Sequence, residues 1–295
     1  MENSNYKIYA VNYADACFEE VRKVNSESAR IFGKVDGVLE FCPADITDFR
    51  SEYSNIFAYQ RGAGLWLWKP YIIYQALQQI EDGAWLFYCD SGAMYYNDVH
   101  ILANCAIKDG EDRMVFQLTW ASAHQYTKAE TFEWMKCSDR KHFQVMATCS
   151  LWKKTQENFC IIKEWLDACC EECLISPKKF DESISEDPEF ITHREDQSIL
   201  DIVVRRHGIS PYRDPSDYGV RNYFWKPLKE GERESPYPVI ILSFRRNDPF
   251  AYRCEFRRRY SLWCFCLQHW GIYRRVFALL RKLRIWKSTL TGVGI

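Results

Sequence analysis

The sequence contains no run of about 18 to 20 uninterrupted apolar residues, the length a helix needs to cross a bilayer. It does not open on a basic stretch followed by an apolar core: MENSNYKIYA is polar, so no secretory leader is expected and the chain is assigned to the cytoplasm. No Walker motif, no G-x-G-x-x-G and no internal repeat occurs, which removes the phosphate-loop, dinucleotide-fingerprint and solenoid readings. A disulfide framework is also missing. The 13 cysteines are odd in number and scattered along a chain large enough to bury its own core, so free thiols in a reducing compartment are expected. Cys169, Cys170 and Cys173 in WLDACCEECL present either metal ligands at helical spacing or ordinary helix cysteines. No second pair or nearby His completes a site, and free Cys packs as a small hydrophobe.

What is present is apolar and aromatic bulk: 47% apolar and 16% aromatic residues over 295 positions suffice for a globular protein with a substantial core. The net charge of -1 hides an asymmetry. Residues 253–295 hold ten Lys/Arg against the single acid Glu255, leaving 29 basic and 39 acidic residues in 1–252. A body of net -10 thus carries a tail of net +9, and the tail is expected to meet an anionic surface. Two domains follow: a globular body over 1–252 and a basic, aromatic, amphipathic tail over 253–295.

Along the body, YKIYAVNYA alternates as a strand does, and ACFEEVRKVNSESARIFG follows with helical periodicity and a closing Gly33. The stretch RGAGLWLWKPYIIYQAL leads into a second helix, with Pro70 in its first turn and Gly83 beyond its end. AWLFYCDSGAMYY is a continuous apolar run stopping at Asp90, Ser91 and Gly92, the pattern of a buried central strand that delivers an aspartate to the carboxyl edge of a sheet. RMVFQLTW and FQVMATCSLWKK read as further strands, TQENFCIIKEWLDACCEECL and HREDQSILDIVVRRHG as helices, and SPKKFDESISEDPEF as an acidic loop. Strands alternating with helices give an α/β fold.

Three places carry candidate chemistry. Asp90 lies where open α/β sheets bind ligands, with Gly92 permitting close backbone approach; alternatively it caps a turn. His193, Arg194, Glu195, Asp196 and Gln197 open a helix, where unpaired N–H groups attract anions, so His193 and Arg194 are candidates for phosphate while Asp196 and Gln197 address hydroxyls; alternatively they are polar caps. Arg61 and Lys69 bracket Gly62 and Gly64 as a mobile cationic loop suited to a diphosphate. Trp66 and Trp68, two apart, share one face if extended and offer stacking to a base or sugar, or else anchor the helix in the core.

Together these stretches resemble bacterial nucleotide-sugar glycosyltransferases of the GT-A type, capsule and lipopolysaccharide enzymes distantly akin to family-eight galactosyl- and glucosyltransferases, over residues 6–220. The resemblance implies a GT-A-like, Rossmann-type central sheet flanked by helices and a hexosyltransferase activity that draws on a nucleotide-diphosphate sugar. It places YCDSGA at the family's metal-binding Asp-x-Asp, with Asp90 as the first Asp and Gly92 where the second would stand. Mn²⁺ or Mg²⁺ is therefore expected only through one carboxylate and the donor's phosphates. HREDQSIL is similar to a later Asp-Gln motif, which gives Asp196 and Gln197, with Asp90, the catalytic role; Arg61, Trp66, Lys69, Gly92, His193 and Arg194 are the implied donor-binding set. The implied acceptor is a cell-surface glycan precursor or a lipid-linked glycan.

In the tail, WGIYRRVFALLRKLRIWK places Ile272, Tyr273, Val276, Phe277, Leu280 and Leu283 on one helical face and Arg274, Arg275, Arg281 and Lys282 mostly opposite. That is the composition of a helix lying on an anionic leaflet, here the inner face of the cytoplasmic membrane; the alternative is packing against the acidic body. Two competing functions remain: a nucleic-acid-binding protein using the tail, against which the acidic body and the apolar stripe argue, and a catalytically silent sugar-nucleotide binder.

Overall fold

The computed structural model describes residues 6–219, 235–244 and 248. Its centre is a mixed five-stranded sheet in the order β2-β1-β3-β8-β5, built from β1 (Ile8–Tyr13), β2 (Gly37–Phe41), β3 (Trp85–Cys89), β8 (Cys149–Lys153) and β5 (Arg113–Met114). β1 runs parallel to both β2 and β3, whereas β8 is antiparallel to β3 and to β5. β4 (Ala93–Tyr95) pairs with β10 (Ile241–Ser243), and β6 (Phe116–Ser122) lies between β7 (Phe143–Val145) and β9 (Tyr212–Arg213).

Successive side chains of a strand point to opposite faces, and that period divides the core in two. Val11, Tyr13, Leu86, Tyr88 and Trp152 pack beneath the helices Trp68–Gln79, Gln156–Cys169 and Glu195–Arg206. Ile8, Ala10, Trp85, Phe87, Cys89 and Leu151 pack on the other face with Ala29 of Glu19–Ile31 and with Leu102, Ala103 and Ala106 of His100–Lys108. The result is an α/β protein whose central mixed sheet is flanked by helices. All five residues of β3 are buried, as a strand covered on both faces requires.

The expected first strand, the three helices that flank one face and the strand ending before Asp90 form where the periodicity places them. Two apolar runs divide instead: RMVFQLTW yields β5 and the start of β6, and FQVMATCSLWKK yields β7 and β8, because each run supplies a strand to two different sheets. The ten cysteines among the described residues are free. Cys169 lies in the core, where burial pushes its thiol well above the ordinary range, and burial likewise raises Cys170 to about 11. Both are protonated thiols at neutral pH. No helix among the described residues is long and apolar enough to cross a membrane. Arg274, Arg275, Arg281, Lys282 and the whole of 253–295 lie outside the described residues.

Candidate active site

In the parallel part of the sheet, the chain leaves β1 toward β2 on one side and later enters β3 on the other. The carboxyl ends of β1 and β3 therefore flank a topological switch point, the place where open α/β sheets form a ligand crevice. Tyr13 ends β1 there and Ala14 and Asp15 follow it, and Asp90, Ser91 and Gly92 follow β3; all six line a cleft of about 640 Å³. The two turns are tied together. Ser91 Oγ donates to the Tyr13 carbonyl at 2.6 Å, and Asn25 Nδ2 donates to the carbonyls of Asp90 and Ala93 at 3.3 and 2.8 Å. The backbone N–H of Asp90 bonds to the carbonyl of Thr148 at 2.9 Å.

Lys69 occupies the floor of the cleft. It belongs to the first turn of Trp68–Gln79, is 4% exposed, and directs its ammonium between Asp90 Oδ1 at 3.6 Å and Asp196 Oδ2 at 3.2 Å. Burial alone would lower its pKa; the attraction of Asp196 and then Asp90 reverses this and raises it. Lys69 is thus a permanent cation, also within 5.6 Å of the Tyr88 ring centre. The expectation of a mobile cationic loop is corrected here: helix packing and two carboxylates fix the ammonium in place. Tyr88 donates its hydroxyl to Asp90 Oδ1. Asp196 is 4% exposed, and burial raises its carboxyl to about 7 against the opposing pull of Lys69, with Asp90 and Glu195 adding to the rise.

The other half of the glycine-rich stretch has an unusual backbone. Gly62, Ala63, Gly64, Leu65 and Trp66 all have positive φ, at 61°, 51°, 99°, 56° and 59°. The N–H of Leu65 bonds to the Arg61 carbonyl at 2.8 Å and that of Trp66 to the Gly62 carbonyl at 3.2 Å, so this is one turn of left-handed helix. At about 1 to 2 kcal/mol for each L-residue with a Cβ, Ala63, Leu65 and Trp66 together cost about 3 to 6 kcal/mol. The buried Leu65, and a 2.9 Å bond from Trp68 Nε1 to the Gly62 carbonyl, help to offset this. The turn is not extended, so Trp66 and Trp68 do not share a face as an extended chain would make them. Trp68 stacks on Tyr13 with ring centres 4.1 Å apart, while Trp66 lies 5.4 Å from the Arg61 guanidinium. Both tryptophans line the cleft.

Facing this turn, Glu195 begins the Glu195–Arg206 helix at φ 36°, again left-handed, and accepts a 2.6 Å bond from Arg61 Nε. Its pKa is raised by burial, with Arg61 opposing. Strained backbone on both sides of one ion pair is the kind of feature that clusters at functional sites. Gln197 lines the cleft and donates to Gln144 Oε1 at 2.8 Å. Arg194 also lines it, its guanidinium 4.6 Å from the Trp120 ring centre and 4.7 Å from that of Tyr126.

His193 is the correction within HREDQ. It is 1% exposed and does not line the cleft; its Nδ1 accepts from the Lys128 backbone N–H at 3.3 Å and its Nε2 faces the Leu174 carbonyl at 3.0 Å. Burial, then Lys128, lowers its pKa to about 3, so the ring is neutral and offers no charge to a phosphate. Among the described residues there is no group of three or more His, Cys, Asp or Glu able to hold a metal ion. Of the four carboxylates that line the cleft, Asp90 and Asp196 already share the Lys69 ammonium, which a divalent ion bridging them would have to face, and Glu195 is paired with Arg61, leaving Asp15 alone. This donor set does not fit a protein-held divalent ion.

Several lining residues carried no signal in the sequence. Tyr13, Asp15 and Phe18 reach the cleft because β1 ends there, and Thr148 because β8 begins beside β3. Only Asp15, a polar residue just past an alternating run, has a position from which a site could have been suspected.

No protein-family model matches the sequence, and no curated protein matches it. Among solved structures the chain is similar to mouse xyloside xylosyltransferase 1 in its apo form, with 11% identity and a TM-score of 0.43, covering 83% of this chain and 99% of that one. It is also similar to the apo form of the glycosyltransferase GlyE of Streptococcus pneumoniae TIGR4, with 14% identity and a TM-score of 0.35, covering 81% of this chain and 54% of that one. The chain thus spans about half the length of the second. Likenesses this distant carry no argument about activity, which has to come from the cleft itself.

Proposed function

We propose that the protein is a GT-A-like glycosyltransferase that moves a sugar from a nucleotide-diphosphate donor to a hydroxyl of a glycan or lipid-linked acceptor. The observation that carries this reading is the buried Lys69 ammonium, held by Asp90 and Asp196 at the switch-point crevice. Around it the cleft offers two further cations, Arg61 and Arg194, with an aromatic ring beside each. The nucleoside lies against Tyr13, Asp15 and the 38% exposed Phe18, and its diphosphate turns toward Lys69 and Arg61.

In the transfer, the bond from the anomeric carbon to the diphosphate oxygen breaks and its electron pair leaves with the nucleoside diphosphate. A new bond forms from that carbon to the acceptor oxygen, which gives up its proton. Fixed cations aimed at the leaving oxygen stabilise the charge as it develops. Asp196, with a carboxyl near 7, is the residue placed to receive the acceptor's proton, and Gln197 orients the sugar. The 253–295 tail rests on an anionic inner leaflet and keeps the cleft near a lipid-linked acceptor.

The test is a thermal-shift screen over UDP-, GDP-, CMP- and dTDP-sugars with and without Mn²⁺, followed by turnover of the donor that binds. One donor is expected to stabilise the protein and to be consumed, and Asp90→Ala is expected to abolish consumption while the fold survives. A fully active Asp90→Ala removes that residue's role. A shift with no turnover by the wild type makes the protein a sugar-nucleotide binder.

A further inference from the structure

Beside the switch-point crevice, Thr192 and the residues Arg194, Glu195, Asp196 and Gln197 also line the cleft, and an exposed aromatic group adjoins Arg194. β6 pairs with β7 at Gln117 and at Ser122 with a shift of register between them, and in that irregular stretch Leu118 and Ala121 are buried while Trp120 is 42% exposed. Irregularities of this kind re-aim side chains next to active sites. Trp120 meets Tyr126 edge-on, with ring centres 5.5 Å apart at 84°, and the Arg194 guanidinium lies within 4.7 Å of both rings. The support is continuous with the cleft. The backbone N–H groups of Ile191 and Arg194 bond to the carbonyls of Gln125 and Tyr126 at 2.8 and 3.1 Å, and Thr192 and Arg194 are themselves lining residues.

We infer that Trp120, held by Arg194 and Tyr126, is the acceptor subsite, and that its ligand is a pyranose ring of the acceptor glycan stacked on the indole. The chemistry is that of a rigid aromatic face at the rim of a polar cleft. A sugar's apolar C–H face packs on the ring while its hydroxyls turn toward Thr192, Gln197 and Asp196. The two aromatic and cationic pairs then divide the substrates: Trp66 with Arg61 borders the side of the donor diphosphate, and Trp120 with Arg194 borders the acceptor. This inference rests on the proposed glycosyl transfer. Trp120 itself touches no reacting atom; it positions the acceptor.

The experiment uses the full chain, the donor found in the screen and octyl β-D-glucoside, octyl β-D-galactoside and octyl α-D-mannoside as soluble acceptor probes. Two rates are measured for each variant: donor hydrolysis by water, and transfer to the accepted glycoside. Trp120→Ala is expected to raise the acceptor KM about three- to tenfold, the range set by a single aromatic contact, while hydrolysis stays within twofold of wild type. Trp120→Phe keeps a flat ring and is expected to restore most of the acceptor affinity. Because Trp120 is partly exposed, both variants should melt near the wild-type temperature, and the unchanged hydrolysis rate reports an intact donor side. Unaltered acceptor KM in Trp120→Ala, with transfer still running, overturns the subsite and leaves the transferase reading in place. A wild-type chain that neither hydrolyses nor transfers any donor removes the transferase reading and the subsite with it.

Discussion

At the scale of single residues, Lys69 and Asp196 depend on each other. Each is close to fully buried, and removing one partner of a buried ion pair leaves an uncompensated charge. Lys69→Met is expected to cost about 3 kcal/mol in chemical denaturation at pH 8, where the wild-type Asp196 is ionised and paired, because Asp196 then loses its cation. Pairing it with Asp196→Asn should return part of that loss, and the double-mutant cycle measures the coupling directly; purely additive losses would show that the pair contributes nothing beyond its separate burial. Asp196 also makes a pH prediction with a definite sign. Its carboxyl is raised from 3.8 to about 7, so the folded protein binds more protons than the unfolded chain between those values. Stability from this group is complete below about pH 4 and is lost as pH rises through about 7. Denaturation midpoints compared at pH 5 and pH 8 should therefore show a fall in the wild type that Asp196→Asn flattens. The rate of sugar transfer should move the opposite way, rising through the same window as the carboxylate forms.

At the scale of elements, the left-handed turn over residues 62–66 decides how the cleft is shaped. Gly64 adopts φ 99°, and a Cβ built there would enter the Phe57 ring and approach the Phe57 backbone at 3.1 Å. Gly64→Ala is expected to lower stability by about 3 kcal/mol and to loosen donor binding, because the turn that carries Arg61 and Trp66 must rearrange. Gly83→Ala is the control, with φ 79° but nothing within 4 Å of the added atom, and should cost about 1 kcal/mol through backbone strain alone. Equal losses in the two variants would mean that contact with Phe57 is immaterial. This turn also marks where sequence reasoning stops. Two glycines beside Arg61 read as mobility, yet the structure uses them, with three other residues, to build a fixed left-handed turn. The cue would have had to be a run of consecutive positive φ angles, which composition does not encode. Asp90 was different: an unbroken apolar run ending in Asp-Ser-Gly dictates a buried strand and its exit, so position followed from pattern. That Lys69 meets Asp196 was not legible, since the two lie on separate helices joined only by packing on one face of the sheet. His193 shows a related limit: beside Arg194 at a helix start it suggests a phosphate-holding pair in sequence, but burial makes it neutral and takes it out of the cleft.

At the scale of the whole molecule, charge divides the sequence into two parts of opposite sign. The 1–252 body carries net -10 and the 253–295 segment net +9, while the last described strand, Ile241–Ser243, belongs to the body. Cutting after residue 252 therefore leaves β10 and the cleft-lining Ser243 in place. Under the proposed membrane role, the tail would gain both electrostatic attraction and burial of its apolar residues on an anionic membrane, and the electrostatic part would weaken as salt shortens the Debye length. The truncated chain is expected to hydrolyse its donor at the wild-type rate yet to stop sedimenting with vesicles containing anionic phospholipid, whereas the full chain should bind those vesicles more strongly than neutral ones and less strongly in high salt. Had the tail instead been a helix packed on the acidic body, truncation would lower the melting temperature of the body and expose apolar surface, and vesicle binding would not fall. Unchanged sedimentation after truncation, in either lipid, removes the tail from the membrane and with it the reason for linking this cleft to a lipid-borne acceptor.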